Sequence, residues 1–242
     1  MTAHEVVPTV ERGPAPTDRR PIHARAPALR RRPAHLRPVV LHPAGTNRLK
    51  ATVDKAVALL LVVVLAPVLL AVSCAIAVTT GGPVLYRQRR AGWRGETFCL
   101  LKFRTMVDGA SRRQRALDDC NEADGLLFKM HDDPRVTRLG RVLRRTSIDE
   151  LPQLWNVLRG EMSLVGPRPL PVRPEAFVGE ERRRLEVRPG LTGLWQVSGR
   201  SELSWDESIE LDLRYVDGWS HGLDLAILAR TPLAVARGRG AF

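Results

Sequence analysis

The sequence predicts a mainly α protein with a small β-hairpin, an α/β mixture overall, organised as a monotopic membrane protein whose N-terminal apolar segment forms a re-entrant helical hairpin. Three features of its 242 residues predict this. No residue from Ala56 to Val78 is charged, and Leu59 to Leu70 is almost continuous Leu, Val and Ala, which is the length and composition of a membrane segment. The later chain repeats its apolar residues at helical spacing. Only Val84 to Arg90 and Thr97 to Met106 read as strands, with Gly92 and Gly95 between them.

Residues 1–46 alternate proline and arginine with few residues able to build a core, so a disordered basic tail is expected. Its arginines suit either anionic lipid headgroups or a solvated linker. The apolar segment, 47–80, is preceded by too long a region for a secretory signal, and Ala71-Val72-Ser73-Cys74 is a poor lipoprotein cleavage site. The absence of a polar stripe disfavours a buried helix of a soluble domain. Pro67 leaves about eleven residues on each side of the uncharged run. Each half is therefore roughly 16 Å long at ~1.5 Å per residue, about half of a ~30 Å hydrocarbon core. Proline removes a backbone hydrogen bond and favours a bend. Arg48 and Lys50 precede the segment, and Arg87, Arg89, Arg90 and Arg94 follow it. A spanning helix is normally richer in Lys and Arg on its cytoplasmic side. Basic flanks at both ends instead predict that the segment dips in and returns, leaving both ends cytoplasmic.

Beyond the hairpin, Lys102 and Arg104 alternate with Leu101 and Phe103, which puts both cations on one face of the second strand. A polar helix is expected at Arg112 to Asn121. Leu151, Leu154, Trp155 and Leu158 form one apolar helical stripe ending near Gly160. Gly166-Pro167-Arg168-Pro169 and Arg188-Pro189-Gly190 mark turns, and two helices follow Leu203. Leu223 to Ala236 suits a membrane interface and ordinary core packing equally.

The net charge of +12 calls for an anionic partner: a polymer, a membrane surface or a phosphorylated small substrate. Cys74, Cys99 and Cys120 have neither disulfide-framework nor zinc spacing. P-loop and dinucleotide glycine motifs are absent, as is a nucleophile elbow. His131-Asp132-Asp133, beside Pro134-Arg135, reads as a capped turn rather than a metal site.

Asp149-Glu150 is the outstanding candidate site, an acid pair wedged between a basic run and an apolar helix. A structural account exists, since Ser147 and Glu150 have the spacing of a capping box. Pro152 sits awkwardly for it and argues for a later or distorted helix start. In the chemical account, Lys102, Arg104, Arg144 and Arg168 converge on phosphate oxygens. One carboxylate attacks phosphorus, and its neighbour helps hold Mg²⁺.

Five ordered motifs then carry a resemblance: Lys102-Phe103-Arg104-Thr105-Met106, Asp133-Pro134-Arg135-Val136-Thr137, Thr146-Ser147-Ile148-Asp149-Glu150-Leu151-Pro152-Gln153-Leu154, Ser163-Leu164-Val165-Gly166-Pro167-Arg168-Pro169, and Arg188-Pro189-Gly190-Leu191-Thr192-Gly193-Leu194-Trp195-Gln196-Val197. From about Asn47 to Phe242 the chain resembles the bacterial sugar transferases, the monotopic phosphoglycosyl transferases that begin exopolysaccharide and O-antigen assembly. The resemblance implies that residues 81–242 are a cytoplasmic catalytic domain on the bacterial inner membrane. It implies transfer of a sugar 1-phosphate from a UDP-sugar to undecaprenyl phosphate, with release of UMP. Asp149 becomes the nucleophile, Glu150 the partner in Mg²⁺ binding, and Lys102, Arg104, Arg144 and Arg168 the phosphate-binding residues. Membrane lipids are implied partners and nucleic acid is not. The re-entrant hairpin belongs to the resemblance too, although Ala66 stands where a serine commonly precedes the bend proline. Larger relatives add four membrane helices and a nucleotide-type domain with no counterpart in this sequence. Donors carrying glucose, galactose or an N-acetylated sugar all suit these motifs. The rival readings are a membrane-tethered basic nucleic-acid-binding protein and a non-catalytic scaffold.

Overall fold

A computed structural model describes residues 42–113, 117, 121–122, 128, 130–200 and 203–238. The expected tail lies outside the described residues up to 41. Its end instead forms a short helix, α1 (Pro43–Thr46), with proline at its start and the His42 ring accepting from the Ala44 N–H at 3.3 Å. The polar helix expected at Arg112–Asn121 overlaps α3 (Ala110–Arg113) and otherwise falls largely outside the described residues.

Asn47 accepts from the Lys50 N–H at 2.9 Å and so starts α2 (Arg48–Thr80), which ends at Gly81 in the left-handed conformation that glycine adopts without penalty. At 33 residues α2 is roughly 50 Å of helix. It is long and apolar enough to cross a membrane. The helix continues through Pro67, so the bend expected there does not divide it into two elements. Much of its middle faces outward: Leu59, Leu60, Val63, Val64, Val68 and Leu70 are exposed, while Leu61, Val62 and Leu69 pack against the core. Toward each end, single positions are covered. Ala58 joins the main core with Leu154, Val157, Met162, Leu164, Tyr215 and Ile227, whereas Ile76 packs with Phe103 and Leu143.

β1 (Leu85–Ala91) and β2 (Thr97–Phe103) pair antiparallel from Leu85↔Phe103 to Ala91↔Thr97, the hairpin expected from the sequence. β2 ends three residues before the expected limit. Met106 instead makes a lone bridge with Val136. α4 (Arg138–Arg145) is capped by Thr137 and lies tight against the end of the hairpin. A Cβ on Gly140 would collide with the Thr105 carbonyl, so the close approach requires glycine there.

The predicted stripe from Leu151 to Leu158 is only partly right. Ile148–Gln153 is a 3₁₀ helix and α5 covers Leu154–Leu158. Leu154 and Val157 are buried while Trp155 is half exposed, because the tighter 3₁₀ winding rotates the face presented to the core. A second sheet was not foreseen. β3 (Ser163–Val165) runs parallel to β4 (Gly190–Thr192), each too short to show alternation. α6 (Leu194–Ser198) follows. The last two helices match expectation: α7 (Trp205–Gly218), opened by a complete Ser204–Glu207 capping box, and α8 (His221–Arg237). α8 divides its apolar residues between both suggested roles, burying Ile227 and exposing Leu225 and Leu233.

A buried polar cluster fastens α2 to this domain. Lys50 meets Asp224 at 2.7 Å and Asp54 at 3.5 Å; Ser163 donates to Asp54 at 2.5 Å; the Tyr215 hydroxyl reaches Asp224 at 2.8 Å and the Val165 carbonyl at 2.9 Å. These bonds join α2, β3, α7 and α8, and thereby fix the height of the domain relative to the apolar helix.

Candidate active site

Three separate segments meet at the acid pair. The Asp149 and Glu150 carboxylates come from the first turn of the 3₁₀ helix, Lys102 from the end of β2, and Arg168 from the loop after β3. The capping-box expectation fails. The Ser147 N–H closes the end of α4 by donating to the Arg144 carbonyl, which drives Ser147 to φ +56° and leaves its hydroxyl without a capping bond. The difficulty at Pro152 is resolved as a distorted helix start, since the 3₁₀ helix contains the proline.

Glu150 is gripped from two sides. Arg168 donates to both of its oxygens, at 2.6 and 3.2 Å, and Lys102 Nζ reaches Oε1 at 2.7 Å. Asp149, 6% exposed, has Lys102 as its nearest cation at 3.8 Å. The two neighbours consequently ionise differently. Burial works to raise the pKa of Glu150, yet Arg168 and Lys102 outweigh it and hold the group far below the usual carboxylate range. Burial, reinforced by the Glu150 charge, pushes Asp149 upward against Lys102, Arg144 and Arg168. The pair thus offers one permanently charged carboxylate and one of increased basicity.

The other two predicted cations are placed differently. Arg144 donates to Thr105 Oγ1 at 3.0 Å and its charge acts on Asp149. Arg104 bonds the Met106 carbonyl and Asp108, both at 3.2 Å, and does not touch the acid pair. His131-Asp132-Asp133 is the expected turn. Asp133 accepts from the Arg135 backbone at 2.9 Å and from its guanidinium at 2.7 Å.

Several contributors escaped the sequence reading. Arg90 donates to the Pro169 carbonyl at 2.7 Å, bracing the Arg168 loop; burial and the nearby Arg168 charge bring its pKa down to about 10. Arg184 donates to the Arg168 carbonyl at 2.7 Å and to Asp212 at 2.5 Å. Burial pushes Asp212 up to about 6 in spite of Arg184 and Arg168. The Arg168 guanidinium also lies 5.5 Å above the Trp195 ring. The Trp195 Nε1 and both amide atoms of Gln196 are buried without hydrogen-bond partners among the described residues. Arg90 was visible only as a flanking charge, and nothing local distinguished Arg184 or Asp212 from surface residues.

Among the described residues no cluster of three or more His, Cys, Asp or Glu side chains could hold a metal by itself. The acid pair alone suits Mg²⁺, which binds through one or two carboxylates with substrate phosphates and water completing its shell.

Carboxylates of unequal basicity, ringed by Lys and Arg beside an apolar helix, define a centre suited to phosphate chemistry at a membrane. The chain belongs to the bacterial sugar transferase family, whose model matches residues 45–238. It is 42% identical over 199 residues to the exopolysaccharide production protein ExoY of Sinorhizobium fredii, covering 80% of this chain and 88% of that one. Over 202 residues it is 38% identical to the undecaprenyl-phosphate galactose phosphotransferase of Salmonella typhimurium, and over 205 residues 40% identical to the undecaprenyl-phosphate glucose phosphotransferase of Komagataeibacter xylinus. Each match covers 80% of this chain, but only 42% and 37% of those longer relatives.

Proposed function

We propose that this chain transfers a hexose 1-phosphate from a UDP-sugar to undecaprenyl phosphate, on the cytoplasmic face of the bacterial inner membrane, as the first step of exopolysaccharide or related glycan synthesis. The observation that carries the reading is the unequal acid pair. Asp149 has the raised basicity and uncommitted oxygens that a nucleophile needs. Relatives are named for galactose and for glucose at similar identity, which supports a hexose donor.

In the first step an Asp149 oxygen attacks the sugar-bearing phosphorus. A P–O bond forms to the carboxylate, the bridging bond of the diphosphate breaks, and its electron pair leaves on UMP. In the second step an oxygen of undecaprenyl phosphate attacks the same phosphorus and displaces the Asp149 carboxylate, giving a lipid diphosphosugar and the free enzyme. Lys102 and Arg168 turn from Glu150 to the diphosphate oxygens and offset the charge that builds on the leaving group. Arg144 keeps a positive charge facing Asp149. Asp149 and Glu150 are the residues that would hold Mg²⁺, which supplies further neutralisation of the diphosphate.

The re-entrant arrangement draws its support from α2. Lys50, Asp54 and Ala58 near one end, and Ile76 near the other, are all buried against one folded unit, whereas much of the middle is exposed. A segment with both ends tied to one domain returns to the face it left. Accordingly, residues 1–46 form the tail, 47–80 the membrane hairpin and 81–242 the catalytic domain.

The test is UMP release by purified protein given Mg²⁺, undecaprenyl phosphate and UDP-galactose or UDP-glucose. Release is expected from the native chain and not from Asp149→Asn. Equal release from both would remove Asp149 from the nucleophile role.

A further inference from the structure

We infer that Arg104 is the seat of the acceptor lipid's phosphate, separate from the Lys102–Arg168 set that serves the nucleotide sugar, an assignment that rests on the two-substrate reading above. Height is the first argument. Val78 is the last apolar residue of α2 and is exposed; Thr79 and Thr80 follow, and Gly81 ends the helix. Gly82 lies four residues beyond Val78, just outside the level where the hydrocarbon of a bilayer would end and lipid phosphates sit. The Arg104 guanidinium rests directly on Gly82, because a Cβ there would overlap its Nη1.

Unused bonding capacity is the second argument. Arg104 is only 9% exposed, yet its Nη1 is buried with no hydrogen-bond partner among the described residues. A buried guanidinium N–H left without an acceptor is costly and is rarely kept without a use. Its Nη2 is held by Asp108, whose 97% exposed carboxylate makes a weak, solvent-screened partner. A phosphate replacing Asp108 would gain a desolvated, two-pronged cation. Lys102 and Arg168 differ in this respect, since both are already engaged with Glu150.

Reach is the third argument. Arg104 follows Lys102 by two residues of extended chain, roughly 7 Å. Thr105, the residue after Arg104, binds Arg144, whose charge acts on Asp149. A lipid phosphate at Arg104 therefore lies beside the phosphosugar that Asp149 would carry, with its isoprenoid chain leaving toward the apolar helix.

The two half-reactions separate this inference from the function it rests on. Without acceptor, the full-length protein in lipid nanodiscs should release a burst of up to one UMP per chain from UDP-sugar and Mg²⁺; with undecaprenyl phosphate it should turn over. Arg104→Gln is expected to keep the burst and the KM for UDP-sugar, and to raise the KM for undecaprenyl phosphate about tenfold or more, the loss of a charge-assisted contact. Gly82→Ala keeps the charge but displaces the guanidinium, and should shift the same KM in the same direction. Asp108→Asn should leave that KM unchanged or lower it. A burst lost equally in Arg104→Gln and Gly82→Ala variants that melt like the native chain would give Arg104 to the donor and overturn the inference. So would weaker binding to phosphatidylglycerol vesicles with an unchanged acceptor KM, which would make the site a general headgroup contact. Absence of any burst in the native chain would count against the proposed function instead.

Discussion

Two places in this molecule set a lysine between carboxylates, one lysine buried and one half-buried, and they are finished differently. At the foot of α2, Lys50 sits with Asp54 and Asp224, and Ser163, Tyr215 and Trp219 donate to their oxygens. None of these residues is left with a buried polar atom lacking a partner. At the acid pair, Lys102 sits with Asp149 and Glu150, and only Glu150 is saturated. Asp149 stays underbonded, and Trp195, whose ring lies under the Arg168 guanidinium, and its neighbour Gln196 keep buried atoms without partners among the described residues. A saturated buried charge cluster is a fastening, because nothing in it gains from a newcomer. An unsaturated one holds unmet bonding capacity, which a substrate can satisfy.

That contrast predicts opposite consequences for removing a carboxylate. Asp149→Asn should lower turnover by roughly 10⁴-fold or more, the scale for losing a nucleophile, with the melting transition kept. Asp224→Ala should leave buried Lys50 with only the longer 3.5 Å contact to Asp54, and the Trp219 donor without its acceptor. Breaking a buried pair in this way costs about 3–5 kcal/mol. Denaturation in detergent micelles should register that loss, and activity should fall only as the folded fraction falls. If Asp224→Ala instead lost turnover while melting normally, the fastening would have a chemical role and the contrast would break.

Arg168 tests how far saturation at Glu150 matters. Its guanidinium spans both Glu150 oxygens, and its backbone carbonyl is held by Arg184, which in turn pairs with Asp212. Arg168→Lys keeps the charge but loses the fork, so turnover should drop by about 10²-fold with a raised KM for UDP-sugar. Lys50→Arg, a comparable exchange at the fastening, should affect melting rather than KM. Steady-state kinetics on the two variants makes the comparison directly.

The sequence revealed the underbonded cluster better than the saturated one. Asp149, Glu150, Lys102 and Arg168 stand in dense local motifs, and the apolar run and hairpin have periodicities that a single segment displays. Lys50–Asp224 and Arg184–Asp212 join residues 174 and 28 positions apart, and no local pattern marks either pair. The parallel β3–β4 pair was hidden by its length, three residues a strand. Ser147 was misread for a related reason. The Ser147–Glu150 spacing fits a cap, but the competing bond from the Ser147 N–H to the Arg144 carbonyl shows only once α4 is folded. Arg104 and Lys102 looked equivalent by alternation along β2, yet the strand stops at Phe103 and Arg104 turns to Met106 and Asp108.

The smallest expected effects are those of pH. Asp149 has a folded pKa above its ordinary value, so its contribution to stability is full below the unfolded pKa and is lost as pH rises through the folded one. Glu150 has the opposite sign: its stabilisation is present above the unfolded pKa and disappears as pH falls toward its depressed folded value. At neutral pH, Asp149→Asn should therefore be neutral or slightly stabilising, whereas Glu150→Gln should melt earlier, because Arg168 and Lys102 lose their counter-charge. Catalysis follows the Asp149 sign, since only the ionised carboxylate attacks. The acceptor-free UMP burst should accordingly decline on acidification at a higher pH than an ordinary aspartate would give, while the melting temperature holds. Acid loss of the burst that coincides with loss of fold would trace both to Glu150 and erase the difference between the two neighbours.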